Sequence, residues 1–243
     1  MGFPTNGGYS MAQNSNNSYT YIIFDLDDTL CDYQKAKRNA ISKVNHILRE
    51  HGIDVDQFWK TYRVVEPVLW RQFLDKKIIK KEYRVRRYAD PLRSLYEFPE
   101  ELADELNRVY MKNANCAIEL FEDVIPLLKI LKEKQIIPVI FTSGPSDGQR
   151  DKLKALSLEE LVEHIYISEE IGVSKPSVDA FEFVLKKLDA HPEEVLMVGD
   201  SLEDDIKGAE QAQIRAVLID RDHKYQEYAG EKIDTLLDLL PLL

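Results

Sequence analysis

Asp25 and Asp27, in the run Asp25-Leu26-Asp27-Asp28-Thr29, are the residues of this sequence best placed to do chemistry. They follow Tyr21-Ile22-Ile23-Phe24, a short apolar run that reads as a buried parallel strand. Alternate side chains of a strand point the same way, so the two carboxylates are expected to project together at its carboxyl end. In open α/β sheets that edge is where ligands bind. Two adjacent carboxylates repel each other unless a cation or a shared proton relieves them. Magnesium suits the task, because it takes hard oxygen ligands and keeps waters that a phosphate can replace. A lone Asp-x-Asp pair is common in proteins, so the reading depends on what accompanies it.

Three further strand ends agree with it. Val139-Ile140-Phe141-Thr142-Ser143-Gly144 ends an apolar strand in hydroxyls and a glycine, and hydroxyls with free backbone N–H groups can hold phosphate oxygens. In Gly172-Val173-Ser174-Lys175-Pro176 the proline holds the preceding lysine extended, which can aim Lys175 inward as a point charge on phosphate. Val195-Leu196-Met197-Val198-Gly199-Asp200 delivers Asp200 to the same edge as Asp25. The following Asp204 and Asp205 cap the next helix or support a metal from behind its direct ligands.

The elements that must position these residues alternate. Apolar runs recur at Ile136 to Phe141, His164 to Ile167, Val195 to Val198 and Arg215 to Ile219. Helical spacing marks Asp123 to Lys134, Asp147 to Leu156, Val178 to Leu188 and Leu202 to Gln211. Strands alternating with helices imply an α/β fold with a doubly wound, Rossmann-like parallel sheet. Between the first and second strands the rhythm breaks into charged amphipathic stretches, at Ala36 to Glu50, Asp56 to Leu74, Lys80 to Leu95 and Glu100 to Met111. The expected organisation is a catalytic core of residues 19–32 and 115–243, an all-helical cap of residues 33–114, and a disordered Asn/Ser/Gly-rich tail of residues 1–18.

Composition narrows the function classes. The net charge of −11, from 32 basic and 43 acidic residues, argues against non-specific nucleic-acid binding. The charge is unevenly spread: Asp32 to Glu97 holds 16 Lys/Arg against 9 Asp/Glu. That basic segment either forms solvated helix faces or draws an anionic substrate towards a site held elsewhere. No stretch approaches the roughly 20 apolar residues that span a bilayer, and the first residues lack the pattern of a secretory signal. Cys31 and Cys116 form neither a disulfide framework nor a zinc site and read as reduced thiols. A cytoplasmic protein with small-molecule partners is expected.

Asp25-Leu26-Asp27-Asp28-Thr29, Thr142, Lys175 and Gly199-Asp200 with Asp205 together resemble the four motifs of the haloacid dehalogenase superfamily. The resemblance runs from about Tyr19 to Leu218, and the insertion resembles the small helical cap of the subgroup that places its cap after the first motif. It implies that Asp25 is a nucleophile and Asp27 a general acid and base. It implies that Mg2+ is held by Asp25, the Asp27 backbone carbonyl and Asp200, and that Thr142, Ser143 and Lys175 bind the phosphoryl group. Asp205 aligns with the last acid of the motif because Ile206-Lys207-Gly208-Ala209 follows it, with Asp204 adjacent. Ile167 to Pro176 and Pro67-Val68-Leu69-Trp70 are most similar to the pyrimidine 5'-nucleotidase branch, although Ser143 stands where asparagine is often found. The resemblance therefore implies a magnesium-dependent phosphatase acting on a nucleoside 5'-monophosphate. The alternatives are a sugar-, sialic-acid- or glycolate-phosphate phosphatase, then a phosphomutase, a dehalogenase or a non-catalytic binding protein.

Overall fold

A computed structural model describes residues 19–243 of the chain, and the Asn/Ser/Gly-rich stretch of residues 1–18 lies outside the described residues. The apolar runs form one six-stranded sheet. Its strands are β1 (Tyr21–Phe24), β2 (Ile137–Thr142), β3 (His164–Ile167), β4 (Val195–Gly199), β5 (Arg215–Ile219) and β6 (Lys232–Ile233). They lie in the order β3-β2-β1-β4-β5-β6, and every pairing is parallel. Strand β1 is central, with Phe24 opposite Ile140 of β2 and Val198 of β4. The chain winds outwards from β1 in both directions. The crevice at the strands' carboxyl ends beside β1 is thus the switch point where doubly wound folds bind ligands.

Period-two alternation supplies both faces with apolar groups. Ile22, Phe24, Ile140 and Val198 enter one buried cluster, and Ile23, Val139, Phe141 and Met197 the other. The segment between β1 and β2 folds into helices α1 (Tyr33–Glu50), α2 (Val55–Leu74), α3 (Lys80–Leu92) and α4 (Pro99–Cys116), followed by α5 (Val124–Glu133) of the core. Asp32 and Asp54 cap α1 and α2, accepting the Lys35 and Gln57 backbone N–H groups at 2.7 and 3.0 Å. The four helices share an apolar cluster of their own, including Val44, Leu48, Phe58, Tyr88 and Leu106. Beyond β2 come α6 (Ser146–Ala155), α7 (Ser168–Ile171), α8 (Val178–Leu188) and α9 (Gly208–Gln211).

Two features differ from the sequence reading. The single helix expected from Leu202 to Gln211 is a π-helical turn over Leu202–Lys207 followed by the short α9. Such turns frequently occur at functional sites, and this one buries Asp205 beneath β4. Strand β6 was not foreseen, because two residues leave no period to read. Cys31 is buried, Cys116 exposed, and both are free. Among the described residues no helix is long and apolar enough to cross a membrane.

The helical insertion meets the core through α4, which packs on α6, and through ion pairs. Arg84 of α3 grips Asp147 at the start of α6 with bonds of 2.6 and 2.8 Å, and Lys80 reaches Glu169 at 2.9 Å. Burial alone would raise the Asp147 carboxyl, but Arg84 and then Lys80 bring it down to about 2. An unfolded Asp titrates near about 3.9, so this contribution to stability is intact above about pH 4 and fades as pH falls towards 2. The melting-temperature difference between the wild-type protein and Asp147→Asn is therefore expected to be larger at pH 6 than at pH 2. A pH-independent difference would contradict this.

Candidate active site

Strand β1 ends at Phe24, and the chain turns immediately. The Asp25 N–H still donates to Val198 O of β4 at 3.0 Å, which fixes Asp25 at the mouth of the crevice. Lys175 Nζ donates to Asp25 Oδ1 at 2.6 Å and to Asp205 Oδ1 at 2.5 Å. All three groups are withdrawn from solvent, at 7%, 3% and 1% exposure for Asp25, Lys175 and Asp205. The second oxygen of Asp205 accepts the Ser201 backbone N–H at 3.0 Å, so both of its oxygens are engaged. A Cβ at Gly199 would collide with that carboxylate, so only glycine admits Asp205 there. The Asp204 carboxylate stays outside the cluster; its backbone N–H donates to Ser201 Oγ at 3.1 Å.

Asp25, Asp200 and Asp205 each offer an oxygen, and these lie within 4.8 Å of one another. Burial, followed by the charges of Asp205 and Asp28, pushes the Asp200 carboxyl up to about 7. Burial also raises Asp25, with Lys175 opposing it and Asp205, Asp200 and Asp27 adding to it. Burial would lower the Lys175 ammonium, but Asp205 and Asp25 carry it above its ordinary value. The cluster thus holds more negative charge than one lysine offsets, and all of its donors are hard oxygens. That donor set fits magnesium. With Asp205 fully engaged, Asp25 and Asp200 are the side chains left to hold an ion.

The paired projection expected of Asp25 and Asp27 is resolved differently, because the strand ends before both of them. Asp27 has its own cation. Lys152 Nζ of α6 donates to its two oxygens at 2.8 and 2.6 Å and sits 3.9 Å from the Tyr33 ring centre. Gln149 Nε2 donates to Thr142 Oγ1 at 2.6 Å and to Ser143 O at 3.0 Å, and reaches Asp27 Oδ2 at 3.4 Å. Ser143 Oγ is buried without a partner, and the Gly144 N–H is taken by Ser168 Oγ at 2.9 Å.

Gln149 and Lys152 were not singled out in the sequence. Their three-residue spacing on one face of α6 was the available signal, but helical lysines mostly face solvent. Asp27, Ser143, Gln149 and Lys152 form one wall of a cavity of about 340 Å3. Its other wall comes from the helical insertion and is rich in aromatic groups, among them Tyr33, Tyr62, Trp70, Tyr83 and Tyr110. The basic excess of the insertion enters here too, through Lys37, Arg84 and Arg87.

Comparison with known proteins shows the family. A haloacid dehalogenase-like hydrolase family profile matches residues 19–213. The chain belongs to that family and is a hydrolase. It is 32% identical over 225 residues to a glyceraldehyde 3-phosphate phosphatase of Methanopyrus kandleri, covering 89% of this chain and 90% of the relative. It is 28% identical to the pyrimidine 5'-nucleotidase PynA of Streptococcus pneumoniae, covering 84% and 85%. Among solved structures it is similar to the HAD hydrolase YfnB of Bacillus subtilis bound to magnesium, with a TM-score of 0.76, 26% identity, and 93% and 99% of the two chains covered.

Lys175 is the neutralising group that burial makes hardest to lose. Lys175→Met strands Asp25 and Asp205 without their cation, and removing one partner of a buried pair costs about 3–5 kcal/mol. Urea denaturation is expected to show that loss in metal-free buffer and a partial recovery with added magnesium. An unchanged unfolding midpoint would contradict the electrostatic account.

Proposed function

We propose that the chain is a magnesium-dependent phosphomonoester hydrolase working through an aspartyl-phosphate on Asp25. The observation that carries this reading is the division of labour between the two carboxylates. Asp25 lies in the buried cation-demanding cluster, while Asp27 lines the adjoining cavity. Lys175 holds one oxygen of Asp25, leaving the other without a hydrogen bond among the described residues and available for attack on phosphorus. Asp27 protonates the departing oxygen and afterwards takes a proton from the attacking water. Thr142, Ser143 and Lys175 bind the phosphoryl oxygens, and Asp205 positions Lys175. Asp25, Asp200 and the Asp27 backbone carbonyl would hold Mg2+, which when bound supplies positive charge beside the phosphoryl oxygens.

The leaving group then extends from Asp27 into the cavity. Its aromatic walls favour a planar group, which supports a nucleoside 5'-monophosphate as substrate. The 28% identical pyrimidine 5'-nucleotidase supports the same reading, while the glyceraldehyde 3-phosphate phosphatase supports a sugar phosphate as the second one. Such metabolites are cytoplasmic, which supports activity in that compartment. A dehalogenase would have little use for an acid at Asp27.

Asp25→Asn is expected to abolish phosphate release, and Asp27→Asn to slow it by about 10²–10⁴. Chelation should stop the wild-type enzyme and magnesium restore it. Near-normal activity of Asp25→Asn, or indifference to chelation, would overturn the mechanism. A panel of phosphate esters tests the substrate: cleavage of sugar phosphates with pyrimidine monophosphates ignored would favour the second reading.

A further inference from the structure

Arg87 has no part in the phosphate chemistry, yet it borders the cavity. It sits on α3 and is 5% exposed. Its guanidinium carbon lies 4.9–5.2 Å from the ring centres of Tyr88, Tyr110 and Tyr83. Nη2 donates to Asn107 Oδ1 at 2.6 Å, and Nη1 reaches the Tyr83 hydroxyl at 3.4 Å. Nε is buried with no partner, and no carboxylate pairs with the group among the described residues. Glu66, the acid of this wall, is engaged instead by the Tyr83 hydroxyl at 2.7 Å. Asn115 of α4 borders the same cavity, is 3% exposed, and has a buried Nδ2 without a partner.

A buried cation without a counter-charge and a buried amide without an acceptor both cost free energy. Both groups are N–H donors, so a ligand that brings an acceptor removes the cost. Asp27 borders the cavity as well, so a leaving group whose oxygen Asp27 protonates reaches into the space these donors line. An apolar pocket discriminates weakly between ligands of similar shape, whereas a buried unpaired donor rejects any ligand lacking its acceptor.

We propose that Arg87 and Asn115 select the leaving group by donating to a trigonal oxygen acceptor that it carries. This rests on the phosphatase reading. Within the nucleotide reading the acceptor is a base carbonyl; a carboxylate would offer the same chemistry.

The test compares wild-type protein, Arg87→Met and Asn115→Leu on four esters: uridine 5'-monophosphate, ribose 5-phosphate, 3-phosphoglycerate and phenyl phosphate. On uridine 5'-monophosphate Arg87→Met is expected to lose about 10- to 100-fold in kcat/KM, the range of a hydrogen bond to a charged group, and Asn115→Leu about 3- to 10-fold, the range of a neutral one, both mainly through KM. Ribose 5-phosphate and phenyl phosphate, which share the ester but bring no such acceptor, should be cleaved as by the wild type. Their turnover also shows that each variant is folded. If the wild type ignores uridine 5'-monophosphate and the variants lose only 3-phosphoglycerate, the nucleotide reading fails and the Arg87 assignment stands. Equal losses on all four esters, or none, overturn it. Calorimetric titration with uridine and with 3-phosphoglycerate separates the cavity from the chemistry: undiminished binding of both by both variants overturns the assignment even in a protein without phosphatase activity.

Discussion

The ammonium of Lys175, buried between Asp25 and Asp205, is the interaction on which the rest of the site depends. A doubly wound sheet brings several chain ends to one crevice, and here the ends of β1 and β4 both bring acids. Without a cation those acids would drive each other protonated or apart. Lys175 offsets part of the charge, while burial first and the neighbouring acids after it raise the carboxyls of Asp25 and Asp200. A surplus of negative oxygens beyond the reach of one lysine would give a divalent ion a reason to bind. Gly199 and the π-helical turn after it serve this arrangement, since they make room for Asp205 and aim it at the lysine.

The insertion closes the site from the other side. Its basic excess has two destinations. Arg84 and Lys80 meet acids of the core at Asp147 and Glu169, and Arg87 turns inward to the cavity. The first set is partly exposed, and exposed pairs contribute little, typically about 0–1 kcal/mol. Weak, screened contacts would let such a surface part with little loss of stability. At the sequence level the basic excess read either as solvated faces or as attraction of an anion; Arg84 and Lys80 instead pair with acids of the core.

Much of this was legible in the sequence for a physical reason. Parallel strands buried on both faces are short unbroken apolar runs, and residues just past them must lie at the ligand edge. Asp25, Thr142 and Asp200 were found by that rule; Lys175, which the structure places in the loop between α7 and α8 and not at a strand end, was found by the proline that follows it. Gln149 and Lys152 sit on a helix, where a polar residue at helical spacing resembles any solvated face. Arg87 was hidden for the same reason, in a helix so rich in charge that no periodicity marks an inward-facing arginine. The pairing of Asp27 with Lys152 was missed because alternation was carried three residues beyond the end of the strand.

That last difference alters the chemical argument. Two carboxylates sharing one ion would be near-equivalent, and little would decide which attacks and which donates a proton. The fold makes them unlike. Asp25 is sealed among acids with Lys175, where its carboxylate is held near the oxygens of Asp200 and Asp205 and away from bulk water. Asp27 faces the cavity with Lys152 and Gln149, on the side where a leaving group must depart. A lysine contributed by a different element to each carboxylate is therefore what separates the two proposed roles: the loop before α8 supplies one, and α6 supplies the other. Because α6 also carries Asp147, the helix that steadies Asp27 is the one the insertion grips, so docking of the insertion and placement of the proposed proton donor share a single element.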